Sequence, residues 1–142
     1  MEVRTAASPR DVKHYTTDRL REEFLIQNLF QADKINLVYS HIDRIITGAA
    51  VPVQEKLALT AGDELRAEYF LQRREMGLIN IGGDGIVTVD GRVYEVNARD
   101  GMYIRRGSKD ITFESKDASC PAKFYLNISH RASAGKEAPD RR

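Results

Sequence analysis

Four side chains in this sequence have the types and settings that acid–base chemistry on a small polar molecule requires. Glu75 and His41 can take and return protons, the carboxylate as a base and the imidazole as either partner. Arg73 and Arg74 directly precede Glu75, and a guanidinium fork matches the two oxygens of a carboxylate. Each group also has a plainer reading. His41 sits in Tyr39-Ser40-His41-Ile42-Asp43-Arg44, a polar corner between two apolar runs, where Asp43 and Arg44 can pair and His41 can hydrogen-bond locally. Arg73, Arg74 and Glu75 can equally form an ion network at a subunit interface or a solvated corner. His14 and His130 lie in polar flanks and read as solvated. Cys120 is the one cysteine; it precedes Pro121 without a recognisable catalytic context and reads as an inert thiol. Gly82-Gly83-Asp84-Gly85 has the composition of a phosphate-binding turn, but a β pattern follows it where a helix N-terminus is required, so a structural turn is expected.

The elements that must position these groups are mostly strands. Ile35, Leu37 and Tyr39 alternate with Asn36, Val38 and Ser40, and the run from Ile45 to Val51 ends at Pro52. Further strands are expected over 56–60, from Tyr69-Phe70-Leu71, and over 78–81. Ile86–Val89 and Arg92–Val96 flank Asp90-Gly91, a strong hairpin signal. Met102–Ile104, Ile111–Phe113 and Phe124–Leu126 complete the set. Thr17 and Asp18 can cap a short helix at 18–30, with Leu20, Phe24 and Leu25 on one face. Short strands at regular spacing predict a mostly β double-sheet sandwich or barrel with a short N-terminal helix. Residues 1–17 read as an extended arm, 18–130 as the domain, and 131–142 as a disordered tail, since its small, charged and proline residues offer little apolar surface to offset ordering.

The 142 residues are enough for one domain. With 22 basic and 21 acidic side chains interleaved, the net charge of +1 gives no bulk attraction to nucleic acid or an anionic membrane. No apolar run approaches the length of a membrane span, and Met1–Arg10 has no signal-peptide core. With a single cysteine no internal disulfide forms. A cytoplasmic protein is expected.

Two spacings are similar to those of cupins, small double-sheet barrels. The first cupin motif places two histidines ahead of a glutamate and then a glycine; Glu75 and Gly82 keep the last two, while the histidine positions fall on Tyr69 and Leu71. The second motif, Pro-x-Gly-x-x-His, matches Arg105-Arg106-Gly107-Ser108-Lys109-Asp110, with arginine for proline and aspartate for histidine. About three converging protein ligands are needed for a mononuclear site, so no metal is expected here.

Longer stretches carry a family resemblance. Leu20–Leu25, Val38–Ile46, Tyr69–Gly83, Val87–Gly91 and Pro121–Tyr125 together resemble 5-keto-4-deoxyuronate isomerase, through roughly residues 18–127. That resemblance implies a two-domain, cupin-like enzyme, usually a homohexamer. It interconverts 5-keto-4-deoxyuronate and 3-deoxy-D-glycero-2,5-hexodiulosonate, sugar acids released in pectin degradation. The family's zinc is held by three histidines and a glutamate of the second half, and this chain corresponds to the first. The expectation is therefore a homo-oligomer acting on a small sugar acid, an isomerase by resemblance, with no cofactor in this chain and no turnover by it alone. The alternative is a non-catalytic cupin domain that binds a sugar acid or scaffolds an oligomer.

Overall fold

The computed structural model describes residues 1–41, 44–60 and 71–130. In chain order the elements are β1 (Glu2–Arg4), α1 (Pro9–Val12), α2 (Thr17–Phe24), β2 (Ile35–Ser40), β3 (Ile46–Ala50), β4 (Leu57–Ala58), β5 (Arg74–Asn80), β6 (Gly85–Val89), β7 (Arg92–Val96), β8 (Gly101–Ile104), β9 (Ile111–Ser115) and β10 (Phe124–His130). They form a six-stranded sheet, β1-β2-β3-β10-β5-β8, and a four-stranded sheet, β4-β9-β6-β7. Neighbours pair antiparallel except β1 and β2, which run parallel with Glu2 opposite Val38. The sheets face each other as a sandwich and are not joined into a closed barrel by any pairing among the described residues.

A period of two decides what enters the core. On β5, Arg74, Met76, Leu78 and Asn80 are buried, while Gly77 and Ile79 are exposed and Glu75 is half-buried. On β10, Phe124, Leu126 and Ile128 are buried on the same inner side. They meet Val87, Ile111 and Phe113 of the other sheet in one cluster, and the Phe113 and Phe124 rings lie 5.4 Å apart at 41°. Full burial of each such side chain contributes about 1.5–3 kcal/mol.

The turns follow from local chemistry. Asp90 and Gly91 take φ of 49° and 85°, the left-handed pair that a two-residue hairpin between β6 and β7 demands. Asp90 Oδ1 then accepts from the Lys109 and Asp110 amides, fastening this hairpin to the strand entering β9. Asp33 has a similar task after β3: its Oδ1 accepts from the amides of Val53, Gln54 and Glu55. Those bonds, led by Val53, hold its carboxyl below the ordinary carboxylate range.

The N-terminal segment departs from the expected extended arm. Glu2–Arg4 docks on β2 as an added strand, and a turn of helix, α1, precedes α2. Thr16, not Thr17 or Asp18, caps α2: its Oγ1 accepts from the Arg19 amide at 3.2 Å. The helix stops at Phe24 because Leu25 is already extended, and Asn28 follows with φ of 55°, so it does not reach residue 30. Leu20, Phe24 and Leu25 stay exposed, and α2 buries none of its residues. The strand expected to begin at Tyr69 starts at Arg74 among the described residues; Tyr69, Phe70 and the expected tail over 131–142 lie outside them.

Candidate functional site

The sequence candidates are divided by the six-stranded sheet. Glu75 sits on the outer face of β5, where its Oε2 accepts a 2.6 Å hydrogen bond from the Tyr103 hydroxyl of β8. Arg73, in the bend before β5, is exposed. Arg74, one residue on, turns inward and is 7% exposed. The two arginines therefore form no joint clamp: one is solvated and the other enters the sandwich. His41 is exposed just past the end of β2, with its ring edge-on to Tyr39 at 5.1 Å, and its backbone amide extends the β1 pairing by donating to the Arg4 carbonyl. Glu75 and His41 are not brought together, because Glu75 faces away from Arg74, whose guanidinium lies over the Tyr39 ring.

The cupin-spaced positions also fail to converge. Leu71 is fully buried in the apolar core. Asp110 is exposed at the tip region near the β6–β7 hairpin, with its amide bound to Asp90. Tyr69 lies outside the described residues. The Gly107 amide donates to the Leu71 carbonyl, so the loop carrying the second motif is pinned to the start of β5 without presenting a donor set. Among the described residues no three His, Cys, Asp or Glu side chains gather to hold a metal ion.

What the geometry does assemble is the end of the sandwich around Arg74. Tyr39, Ile46, Ile128, Met76 and Ile104 form one row across the sheet through their pairings. Arg74 stands one step beyond that row, directly opposite His130 of β10. Its guanidinium carbon lies 5.7 Å from the Tyr39 ring centroid. Tyr39 is three strands away in the sheet order, about 14 Å at the usual strand spacing, so the arginine lies extended across this end of the interior. Its Nε is buried with no hydrogen-bond partner, and among the described residues no carboxylate pairs with the side chain. A cation–π contact is worth about 1–2 kcal/mol when desolvated, less than the several kcal/mol that burying an ion costs. The guanidinium is thus under-compensated. Sequence reasoning missed Tyr39 as its companion and His130 as its neighbour; the signal was parity, since Tyr39 continues Ile35 and Leu37, and His130 continues Phe124, Leu126 and Ile128.

A second opening lies between the edges of β7 and β8, a cleft of about 520 Å³ floored by Tyr94, Met102 and Ile104. Arg92 and Arg105, which also line it, are exposed. The Gly82–Gly85 cluster is a structural turn, as expected: a Cβ on Gly83 would run into the Cys120 carbonyl and Sγ, so glycine there permits two backbones to touch.

These features define the class. The fold is a cupin-like double-sheet sandwich. It superposes on the cupin domain of Schizosaccharomyces pombe Cnp3 with a TM-score of 0.53 at 12% identity, over 72% of this chain and 68% of that one. TT1209 from Thermus thermophilus matches with a TM-score of 0.50 at 11% identity, over 70% of this chain and 86% of that one. No protein-family model matches the chain. The sequence relatives are more particular. The chain is 74% identical over 127 residues to 4-deoxy-L-threo-5-hexosulose-uronate ketol-isomerase of Lachnoclostridium phytofermentans, covering 89% of this chain and 46% of that protein. It is 61% identical to the enzyme of that name from Lachnospira eligens, over 89% of this chain and 45% of the relative. With the Bacteroides fragilis protein it shares 45% over 141 residues, which is 99% of this chain and 49% of that one. The chain spans about half the length of these curated relatives, and over that half it is their close homologue.

Proposed function

We propose that this chain serves as the metal-free, N-terminal half of a 4-deoxy-L-threo-5-hexosulose-uronate ketol-isomerase, acting in the cytoplasm as part of a homo-oligomer in pectin breakdown. The observation that carries the reading is the 74% identity over 127 residues with a relative of that name. A ketol isomerisation moves hydrogen between adjacent carbons while a carbonyl and a hydroxyl exchange places. It requires an electrophile at the oxygens and a proton shuttle. Glu75 bonded to Tyr103 is the proton-transfer pair this half offers, on the outer face of the six-stranded sheet. The electrophile belongs to the second half, where the family resemblance puts zinc. Without it a base leaves the developing oxyanion unsupported, and that support is often the largest catalytic contribution.

The test follows conversion of 5-keto-4-deoxyuronate by the pure 142-residue chain, and by the same chain joined to the remaining half of the Lachnoclostridium relative, each with and without zinc. Turnover confined to the joined protein is the expected result. Turnover by the 142-residue chain alone, abolished in Glu75→Gln, would overturn the reading and make Glu75 a catalytic base.

A further inference from the structure

We infer that the end of the sandwich around Arg74 is a binding site for the carboxylate of a small polar acid, separate from any metal-dependent chemistry. The inference stands apart from the isomerase reading, since it uses only groups within this sandwich.

The argument starts from charge. Arginine keeps its proton at every physiological pH, so burying Arg74 confines a permanent cation at 7% exposure. Such a cation is ordinarily met by a carboxylate or by carbonyl oxygens. Here Nε has no hydrogen-bond partner, no carboxylate among the described residues pairs with the side chain, and the contact that positions it is the face of Tyr39. A ring face holds the plane of the guanidinium without using its N–H groups. The fork therefore remains available for a planar, two-oxygen acceptor.

The surroundings narrow the class. In the row next to Arg74 and His130, Ile46, Met76 and Ile128 are fully buried, so the neighbouring interior is apolar. His130 is opposite Arg74 in the ladder and exposed, so this end of the sheet reaches solvent. The Tyr39 hydroxyl and the His130 ring can both donate and accept hydrogen bonds. A guanidinium fork, a neighbouring apolar interior and two adaptable polar groups suit a small hydroxylated carboxylic acid. A phosphate dianion fits less well, because one arginine leaves its second charge unmatched.

The full chain is titrated with D-galacturonate, with acetate as the bare carboxylate and D-galactose as the neutral sugar, by calorimetry and by melting temperature. Saturable binding of galacturonate, with no response to galactose, is expected. Arg74→Lys keeps the charge but loses the fork, and should weaken binding roughly tenfold or more, the worth of one charge-assisted hydrogen bond. Arg74→Met fills the same volume without charge. It should fold with an unchanged or higher melting temperature in buffer and lose the response to carboxylates. The inference is overturned by three results: no carboxylate binds the native chain, galactose acts as well as galacturonate, or Arg74→Met melts well below the native chain in buffer. That last outcome would show the guanidinium to be satisfied from within. None of these readouts involves isomerase turnover, so the two readings fail independently.

Discussion

The two ends of β5 present opposite solutions to one problem, a polar side chain turned into an apolar interior. At the C-terminal end Asn80 is fully buried and fully used. Its Nδ2 donates to the carbonyls of Gly83 and Val96 at 2.7 and 2.8 Å, and its Oδ1 accepts from the amides of Gly82 and Lys123 at 3.0 and 3.2 Å. Every bond an asparagine amide can make is made. At the N-terminal end Arg74 is nearly as buried but has an orphaned Nε and an aromatic face for company. Asn80 ties together three backbone segments, the Gly82-Gly83 turn, Val96 of β7 and Lys123 ahead of β10, so its polarity is spent on the fold. Arg74 makes no comparable set of bonds, and that imbalance is the ground for the carboxylate site inferred there.

The sharpest way to break this contrast is to remove the satisfied amide. Asn80→Leu strands two buried carbonyls and two amides, and should cost about 3–5 kcal/mol in urea denaturation. A loss below about 1 kcal/mol would show that the Asn80 end is held by other means. Next in size is Gly83→Ala, which pushes a methyl group into the Cys120 backbone beside the same network. It should destabilise by about 1–3 kcal/mol, while Gly77→Ala, with open space around it, serves as the control. At the other end Arg74→Met should be neutral or stabilising by about 1 kcal/mol, because it removes an uncompensated charge. The smallest effect tests a polar group satisfied outside the core. The folded carboxyl of Asp33 is held below its unfolded value by the Val53 amide first, and then by those of Glu55 and Gln54. Its contribution is complete above the unfolded value, about pH 4, and drains away as pH falls through the folded one. Asp33→Asn should flatten the acid side of the melting profile in part; Asp117, held down by the Ser119 hydroxyl and amide, keeps the rest of the slope.

Much of this was legible beforehand, and for identifiable reasons. Asp90-Gly91 announced its hairpin because few dipeptides accept two left-handed residues. The alternation in Ile35–Ser40 gave β2, and Pro52 marked the end of β3. The facing of β5 was not legible. Both Met76-Leu78 and Ile79-Ile81 are apolar, so hydrophobicity alone does not say which set is inside; Ile79 and Ile81 prove to be 50% and 57% exposed. Reading Arg73, Arg74 and Glu75 as one polar corner followed from that ambiguity, since alternation sends Arg74 inward and Glu75 outward. The N-terminal elements were missed for a different reason: β1 exists only because β2 offers it an edge, which three residues of sequence do not reveal.

That added strand gives the domain two levels of cooperativity. β1 is three residues long and pairs on one side, with β2 alone; α1 and α2, which follow it, bury nothing. Residues 2–24 can therefore detach as a unit without opening the cluster between the sheets, to which Ile46 and Phe124 belong. Amide hydrogen exchange resolves such a step as a sub-global opening: the Glu2–Arg4 amides and those of α2 exchange on a fast, shared timescale, while β10 and β5, paired on both sides, exchange through unfolding of the whole sandwich.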